Sequence, residues 1–520
     1  MLHYGLLRIL VHILSVSVVL VTCQKNDITE STDYISSVPN RLRLLKQNGK
    51  LLLNLYEYID ELQEKIKTLQ RLVKHLQQPQ LAAKGEEEDF LSNPMNSLSL
   101  IRQMHADWSN VEKVMKQSVG QKQLNFMNEQ RPKLKNVKET FIAMHRITSS
   151  YELNATDIAK GLLDGMQTDA NLSPLECYEM GLLYFNGSLY HKAVEWLETA
   201  KALMEKTPRN VYALLGLTRS KISHLLARCY TALDNLELAR LVLQSKPDLN
   251  AKAEELLEYF QANKPQKVEN DLIEFDSAYA YFCGSSYKPE PTRLLCSYKT
   301  SGTPFLRLAA FQMEQISMDP DIFVFHNVIS SAEIAILDRE TEAFLVPAKV
   351  ATPEGEKVSS YRTVKSAKLP HVNVSREVNL LAVRLHKRMS DLSDFNLDSC
   401  SDVMQVLKYD FGGHASIHND YFKNSSSEDR IATILFYLND VPSGGGTVFF
   451  DLDLTVQPEP GKAVLWYNLD LETFDYEERN IHASCPVKIG SKFALTQWVL
   501  EHRQMFNRPC LRPPKLRQYK

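Results

Sequence analysis

From Leu52 to Leu76 an apolar residue returns in alternating steps of three and four: Leu52, Leu55, Ile59, Leu62, Ile66, Leu69, Val73 and Leu76. Only an α-helix places such a series on one stripe, and a stripe this narrow is the a/d seam of a coiled coil. Lys, Glu, Gln and Arg occupy many of the positions between, as a water-facing surface requires. The seam predicts pairing with another chain; a long helix packed inside its own domain would give the same spacing. Pro79 stops the pattern, and Glu86-Glu87-Glu88-Asp89 reads as a solvated loop. Ile101, Met104, Trp108, Val111 and Met115 then mark one face of a second helix. Residues 24–150 are expected to form a helical, coiled-coil association domain.

The chain of 520 residues is long enough for about three domains. A net charge of −3 supplies no basic footprint for nucleic acid. Residues 1–23 place Arg8 before the apolar run Ile9 to Val21, with Val21 and Cys23 ahead of a cleavage at Gln24. This is the form of a secretory signal peptide, with a retained single-pass anchor as the other reading. Nothing later is apolar enough to span a bilayer, so no membrane span is expected after signal removal. Cleavage leaves Cys177, Cys229, Cys283, Cys296, Cys400, Cys485 and Cys510. Seven is odd, so at least one is free or pairs with another chain. Cys283 with Cys296, and Cys485 with Cys510, are expected as disulfides of an oxidising lumen. Cys177 and Cys229 fall on helical faces and read as buried thiols. Asn154, Asn171, Asn186, Asn373 and Asn424 open glycosylation sequons that agree with secretion.

Residues 151–265 contain a repeat. Counting from Gly181, Tyr184, Ala193, Leu197 and Ala200 stand at offsets 3, 12, 16 and 19. Ala227, Tyr230, Ala239 and Leu243 reproduce this packing pattern of a tetratricopeptide-like helix pair. Stacked pairs leave a concave surface suited to an extended peptide. Tyr178, Tyr184, Tyr190, Tyr212 and Tyr230 are candidates to line it, because flat rings match a polyproline II ligand. Tyr184 and Tyr230 also occupy consensus core positions.

Residues 266–316 read as a linker with a disulfide loop. From 317 to 520 the pattern changes to two helices, Ala332 to Phe344 and Asn379 to Leu392, among short strands. The strands are Ile322 to Phe325, Val403 to Tyr409, Ile431 to Leu438, Thr447 to Phe450, Ala463 to Tyr467 and Phe493 to Leu500. This predicts a double-stranded β-helix, or jelly-roll, backed by helices.

In that domain His418-Asn419-Asp420 places an imidazole and a carboxylate two residues apart, on one face of a strand. His482 follows Asp420 by 62 residues, and Lys492 follows His482 by ten. A barrel returning His482 to the first strand completes a 2-His-1-carboxylate triad, the donor set of Fe(II) sites with positions left open. Lys492 would then offer a point charge to a carboxylate of a bidentate cosubstrate. Together these residues predict a 2-oxoglutarate-dependent Fe(II) dioxygenase.

The runs Gly444-Gly445-Gly446-Thr447-Val448-Phe449, Gly461 to Leu469, His482-Ala483 and Cys485-Pro486-Val487 resemble the catalytic domain of collagen prolyl 4-hydroxylase α subunits. Arg430 to Thr433, Trp498 and Arg508-Pro509-Cys510 extend the resemblance, and the order of the preceding regions is similar. The resemblance implies His418, Asp420 and His482 as metal ligands and Lys492, Thr447 and Tyr409 at the 2-oxoglutarate carboxylate. It implies Arg430 and Trp498 at the peptide channel; Trp498 is otherwise barrel core, and Arg430 otherwise pairs with Glu428 or Asp429. It further implies hydroxylation of peptidyl proline to 4-hydroxyproline in collagen-like or other Pro-rich chains, using Fe(II), 2-oxoglutarate, O2 and L-ascorbate. The implied partner is protein disulfide isomerase, the β subunit of an α2β2 heterotetramer in the endoplasmic reticulum lumen. The C-terminus Arg517-Gln518-Tyr519-Lys520 is no retrieval signal, so a partner is expected to hold the chain there.

The rim departs from the family. Ala415, Ser416 and Ile417 replace its aromatic-rich approach to the first His, Asn419 replaces an aromatic residue, and Phe493 replaces a Trp. His224 and Ala227 stand where relatives often carry Tyr. The alternative reading is a weakly active or inactive paralogue acting as a Pro-rich peptide-binding subunit; a lysyl hydroxylase fits the repeat region less well.

Overall fold

A computed structural model describes residues 38–504 apart from 207–208, 265–271, 273–276, 285–295, 353–354, 360, 370–374, 398–402, 423–428, 471–472 and 474. The leader, Cys400, Cys510, Asn373, Asn424 and the C-terminal tetrapeptide lie outside the described residues. Among the described residues no helix is long and apolar enough to cross a membrane. Two compact units divide after Val137.

In the first unit, the heptad seam lies on one helix, α1 (Val38–Leu76). Leu52, Leu55, Ile59, Ile66 and Val73 are exposed along it in the single chain. Glu87, Glu88 and Asp89, expected in a loop, instead open a short helix (Glu87–Ser92), where the helix dipole favours acidic groups. The second predicted face is broken. A π-helical turn at Gln103–Asp107 shifts the phase, so Val111 is buried while Ile101, Met104, Trp108 and Met115 are exposed.

The second unit begins on α2 (Leu134–Ser150). Two helical hairpins follow: α3 (Pro174–Asn186) with α4 (Tyr190–Lys206), and α5 (Arg219–Ala232) with α6 (Leu236–Gln244). A Ser173–Glu176 capping box starts α3. A Cβ on Gly181 would stand 2.6 Å from Leu197 Cγ, so only glycine lets α3 and α4 approach this closely. Ala193, Leu197, Ala200, Ala227, Ala239 and Leu243 are buried, as the repeat offsets predict.

The remainder is built of β1 (Cys296–Lys299), β2 (Phe311–Met318), β3 (Asp321–His326), β4 (Val346–Pro347), β5 (Lys365–Leu369), β6 (Met404–Tyr409), β7 (Ala415–His418), β8 (Arg430–Tyr437), β9 (Thr447–Phe449), β10 (Leu454–Val456), β11 (Ala463–Tyr467), β12 (His482–Ser484) and β13 (Lys492–Leu500). The large sheet runs β1-β2-β3-β11-β8-β13-β6-β5-β4, and a small one runs β7-β12-β9-β10. All described pairings within these two sheets are antiparallel. Strand alternation decides which side chains meet. Ile434, Phe436 and Leu495 pack with Leu381, Leu385 and Met389 of α7 (Arg376–Ser393) on the outer face. Leu435, Tyr437, Trp466 and Ala494 point inward, toward Phe449 and Val456 of the small sheet. Two facing antiparallel sheets with a helix behind one form the expected jelly-roll. The stretch expected as a linker contributes β1 and most of β2 to the large sheet.

The cysteine pairing differs from both expected disulfides. Cys283 bonds to Cys485 across 202 residues, with their Cα atoms 5.7 Å apart. Cys296 is free and exposed, and Cys177 and Cys229 are buried thiols. Sequence proximity favoured short loops, but Tyr279 and Phe282 pack with Ala483 and Ile147, which brings Cys283 onto the end of β12. Non-reducing peptide mapping is expected to recover a Cys283–Cys485 peptide. Cys283→Ser should cost roughly 2–5 kcal/mol of stability, read as a lowered denaturation midpoint. A Cys283–Cys296 peptide would refute the assignment.

Candidate active site

The small sheet brings the two histidines together. In the β7–β12 pairing His418 lies directly opposite His482, past an irregularity between Ala415 and His418. Their ring centroids are 4.4 Å apart. His418 Nδ1 lies 2.7 Å from Ser416 O, and His482 Nδ1 lies 2.9 Å from Asn480 O. A carbonyl only accepts, so both Nδ1 atoms carry the proton and both Nε2 atoms are left as donors to a metal. Each Nε2 is 3.7 Å from an oxygen of Asp420. The three ligand atoms lie within 4.8 Å of one another.

Asp420 is not on the strand with His418, as the His-x-Asp spacing predicted; β7 ends at His418 and Asp420 sits on the bend beyond it. Thr433 Oγ1 donates to Asp420 Oδ2 at 2.7 Å and fixes the carboxylate there. Burial alone would raise this carboxyl. His482, His418, Arg430 and the Thr433 hydrogen bond outweigh it and hold it down at about 2. Burial, then the neighbouring His482, push the His418 imidazole below its ordinary range. The cluster thus holds an anionic Asp420 carboxylate beside a neutral His418 imidazole, as ligation of a divalent metal needs.

Lys492 stands at the start of β13, opposite Tyr409 in the register. It is 1% exposed and donates to Ser484 Oγ at 3.0 Å, with the Tyr409 and Tyr437 ring centroids 5.2 and 5.3 Å away. Burial pushes its amine down to about 7. Thr447 is buried beside this group and accepts from Tyr437 Oη at 2.7 Å. The structure therefore brings His418, Asp420 and His482 into one cluster, and Lys492, Tyr409 and Thr447 into an adjoining one. The strand β12 joins them, with His482 and Ser484 two residues apart on one face.

The N-terminal region of the prolyl 4-hydroxylase alpha-subunit matches residues 37–165, and the 2OG-Fe(II) oxygenase superfamily matches residues 404–500. Prolyl 4-hydroxylase subunit alpha-1 of Rattus norvegicus is 28% identical, over 92% of this chain and 95% of its own. Subunit alpha-2 of Caenorhabditis elegans is 27% identical over 87% and 89%. The chain is similar to prolyl 4-hydroxylase alpha subunits along nearly its whole length. Among solved structures, the viral collagen prolyl hydroxylase of Paramecium Bursaria Chlorella virus-1 is 20% identical. It covers 34% of this chain and 95% of its own, at a TM-score of 0.28. A Pseudomonas putida prolyl-4-hydroxylase is 15% identical over 35% and 92%, at a TM-score of 0.27.

The match to the 2OG-Fe(II) oxygenase superfamily implies Fe(II) and 2-oxoglutarate, and the residues present fit both. Two imidazoles and a carboxylate are the donor set for the metal. The buried Lys492 amine, with no carboxylate in ion-pair reach among the described residues, fits a carboxylate of the cosubstrate. Trp466 Nε1, on a ring 4.9 Å from His482, also lacks a hydrogen-bond partner among the described residues.

Arg430 and Trp498 lie beside Asp420. The Arg430 guanidinium is held between the Phe422 and Trp498 rings at 4.3 and 3.9 Å, and its Nη1 donates to Asp420 O at 3.2 Å. These contacts brace the bend that carries the carboxylate. Ile417 is exposed at the rim, and Tyr421 stacks on Tyr476 with centroids 4.4 Å apart. In the helical hairpins, Tyr178 and Tyr184 are buried, Tyr184 at the core position that its repeat offset gives it. Tyr184 packs inward against α2, its hydroxyl 2.9 Å from Thr148 Oγ1 and 3.2 Å from His145 Nδ1. Tyr190 and Tyr230 stay partly exposed, and Tyr230 Oη donates to Glu198 at 3.4 Å.

Sequence reasoning missed Ser484, Tyr437, Thr433 and Trp466. Ser484 was within reach of it, since it lies two residues beyond His482 and strand alternation puts both on one face. Thr433, Tyr437 and Trp466 share the inward face of β8 and β11, but the sequence carries no signal for which inward residues meet the ligands.

Proposed function

We propose that this chain is the catalytic α subunit of a procollagen-proline 4-dioxygenase. It would hydroxylate peptidyl proline at C4 in collagen-like or other Pro-rich secretory proteins. Proline C–H, O2 and 2-oxoglutarate would give hydroxyproline, succinate and CO2. The observation that carries this reading is the register placing His418 opposite His482, with Asp420 at both Nε2 atoms and Lys492, from the facing sheet, bonded to Ser484 of β12.

His418, Asp420 and His482 would hold Fe(II), which supplies the activation of O2 and the oxidative decarboxylation of 2-oxoglutarate. Lys492 would bind a carboxylate of the cosubstrate and help to orient it, with Tyr409, Tyr437 and Thr447 beside that group. Phe449 and Trp466, packed against His482, keep that side of the site dry. L-ascorbate would restore iron oxidised in uncoupled turnovers. The exposed α1 seam suits pairing of two α chains, and protein disulfide isomerase as β subunit would complete an α2β2 assembly in the endoplasmic reticulum lumen.

Co-expression with protein disulfide isomerase and assay on a (Pro-Pro-Gly) repeat peptide tests the reading. The expected result is CO2 release from 2-oxoglutarate matched by 4-hydroxyproline. Peptide binding with neither product would instead leave the chain a Pro-rich peptide-binding subunit.

A further inference from the structure

Helix α2 presents two faces within the second unit. Phe141 and Met144 pack with the helical hairpins, and Thr148 contacts Tyr184. On the other side Ala143 meets Gly412, between β6 and β7. A Cβ on Gly412 would stand 2.6 Å from Ala143 O and 2.9 Å from Ala143 Cα, and its φ of +67° is left-handed. Glycine is required there on both counts. Through this close approach Arg146 reaches into the loop and donates from Nη1 to Gly412 O at 2.8 Å and to Thr363 Oγ1 at 3.1 Å. A buried charge is costly unless its hydrogen bonds are met, so these acceptors fix where the guanidinium sits.

The direction of the next hydrogen bonds follows from counting protons. Thr363 Oγ1 accepts from Arg146 and also from His414 N, at 3.2 Å. Its single proton is then left for His414 Nδ1, 2.9 Å away. That makes Nδ1 the acceptor, leaves the ring proton on Nε2, and lets Nε2 donate to Ser416 Oγ at 3.3 Å. Ser416 O in turn accepts from His418 Nδ1 at 2.7 Å. The backbone runs in step: Thr363 N donates to His414 O at 3.0 Å and Ser416 N to Tyr361 O at 2.8 Å.

We propose that Arg146 is a positioning residue for His418, acting through Thr363 and His414 to set the orientation of the strand that carries the first metal ligand. This rests on the reading of His418, Asp420 and His482 as metal ligands. Its consequence is that the oxygenase site is not complete within the oxygenase domain. Arg146 belongs to the N-terminal region shared by alpha subunits, so that region supports the metal site.

The test uses the full chain co-expressed with protein disulfide isomerase and titrates Mn(II), following the free ion by electron paramagnetic resonance. Arg146→Met and Thr363→Val are each expected to weaken Mn(II) binding by about 10-fold, the low end of losses at residues that orient a ligand. Arg146→Lys keeps one donor and should fall between them and the wild type. All three should lower kcat while binding of a (Pro-Pro-Gly) repeat peptide stays unchanged. Thr363→Val keeps the packing of α2 and serves where Arg146→Met does not fold. Unchanged Mn(II) affinity in folded Thr363→Val would overturn the proposal. Should the wild type bind Mn(II) no better than His482→Ala, the metal reading itself fails, which the first comparison distinguishes.

Discussion

His482→Ala is expected to abolish turnover and to weaken metal binding by roughly 100-fold or more, beyond the range seen for residues that only orient a ligand. His482 lies opposite His418 and is held by Asn480 O on one nitrogen, with the other aimed at Asp420. Alanine leaves two ligands and exposes Asp420 without one of the groups that keep it ionised. The strand itself should survive, because β12 pairs through its backbone with β7 and β9 on either side. The peptide binding proposed for α3–α6 would involve none of these groups and should be unaffected. CO2 release, hydroxyproline formation and Mn(II) titration on one preparation measure all three effects. Substantial turnover by a folded His482→Ala protein would sink the triad.

Much of the jelly-roll was legible because its strands carry period-2 apolar patterns bounded by turn residues. The predicted Ala463 to Tyr467 is β11, and Val403 to Tyr409 begins one residue before β6. The metal cluster was legible because ligand chemistry limits which residue types qualify, and His482 and Lys492 stood at informative spacings. What the sequence concealed is long-range. Cys283 reaches Cys485 only because separate apolar residues converge. The repeat offset already gave Tyr184 a core position, but not the hydrogen-bond partners on α2 that hold it there. Arg146 is one of many basic residues until the Ala143–Gly412 contact gives it a place beside Thr363. Asp420 shows the limit of local rules: alternation placed it on His418's strand, whereas a bend and the Thr433 hydrogen bond bring it to the same cluster.

Lys492→Met is expected to weaken 2-oxoglutarate binding by about 30-fold or more. Truncating one partner of a buried, hydrogen-bonded charge pair costs roughly 2–5 kcal/mol, and each 1.4 kcal/mol is tenfold. The pH dependence separates a charge effect from lost packing. Without cosubstrate, burial holds the Lys492 amine at about 7, with Ser484 Oγ and two aromatic rings beside it. An arriving carboxylate favours the ammonium and raises that value. Below about pH 7 the amine is already protonated in the free protein, so binding takes up no proton there. Above it, binding must first restore the proton, and affinity should fall toward about tenfold per pH unit. In Lys492→Met the profile should be flat and weak. In Lys492→Arg, whose guanidinium stays charged throughout, it should be flat but stronger than in the methionine variant. The dissociation constant of 2-oxoglutarate, measured with Mn(II) present from about pH 6 to about pH 9, reads each case directly. A flat wild-type profile would mean that the amine enters the reaction already charged across that whole range, and that burial does not set its state.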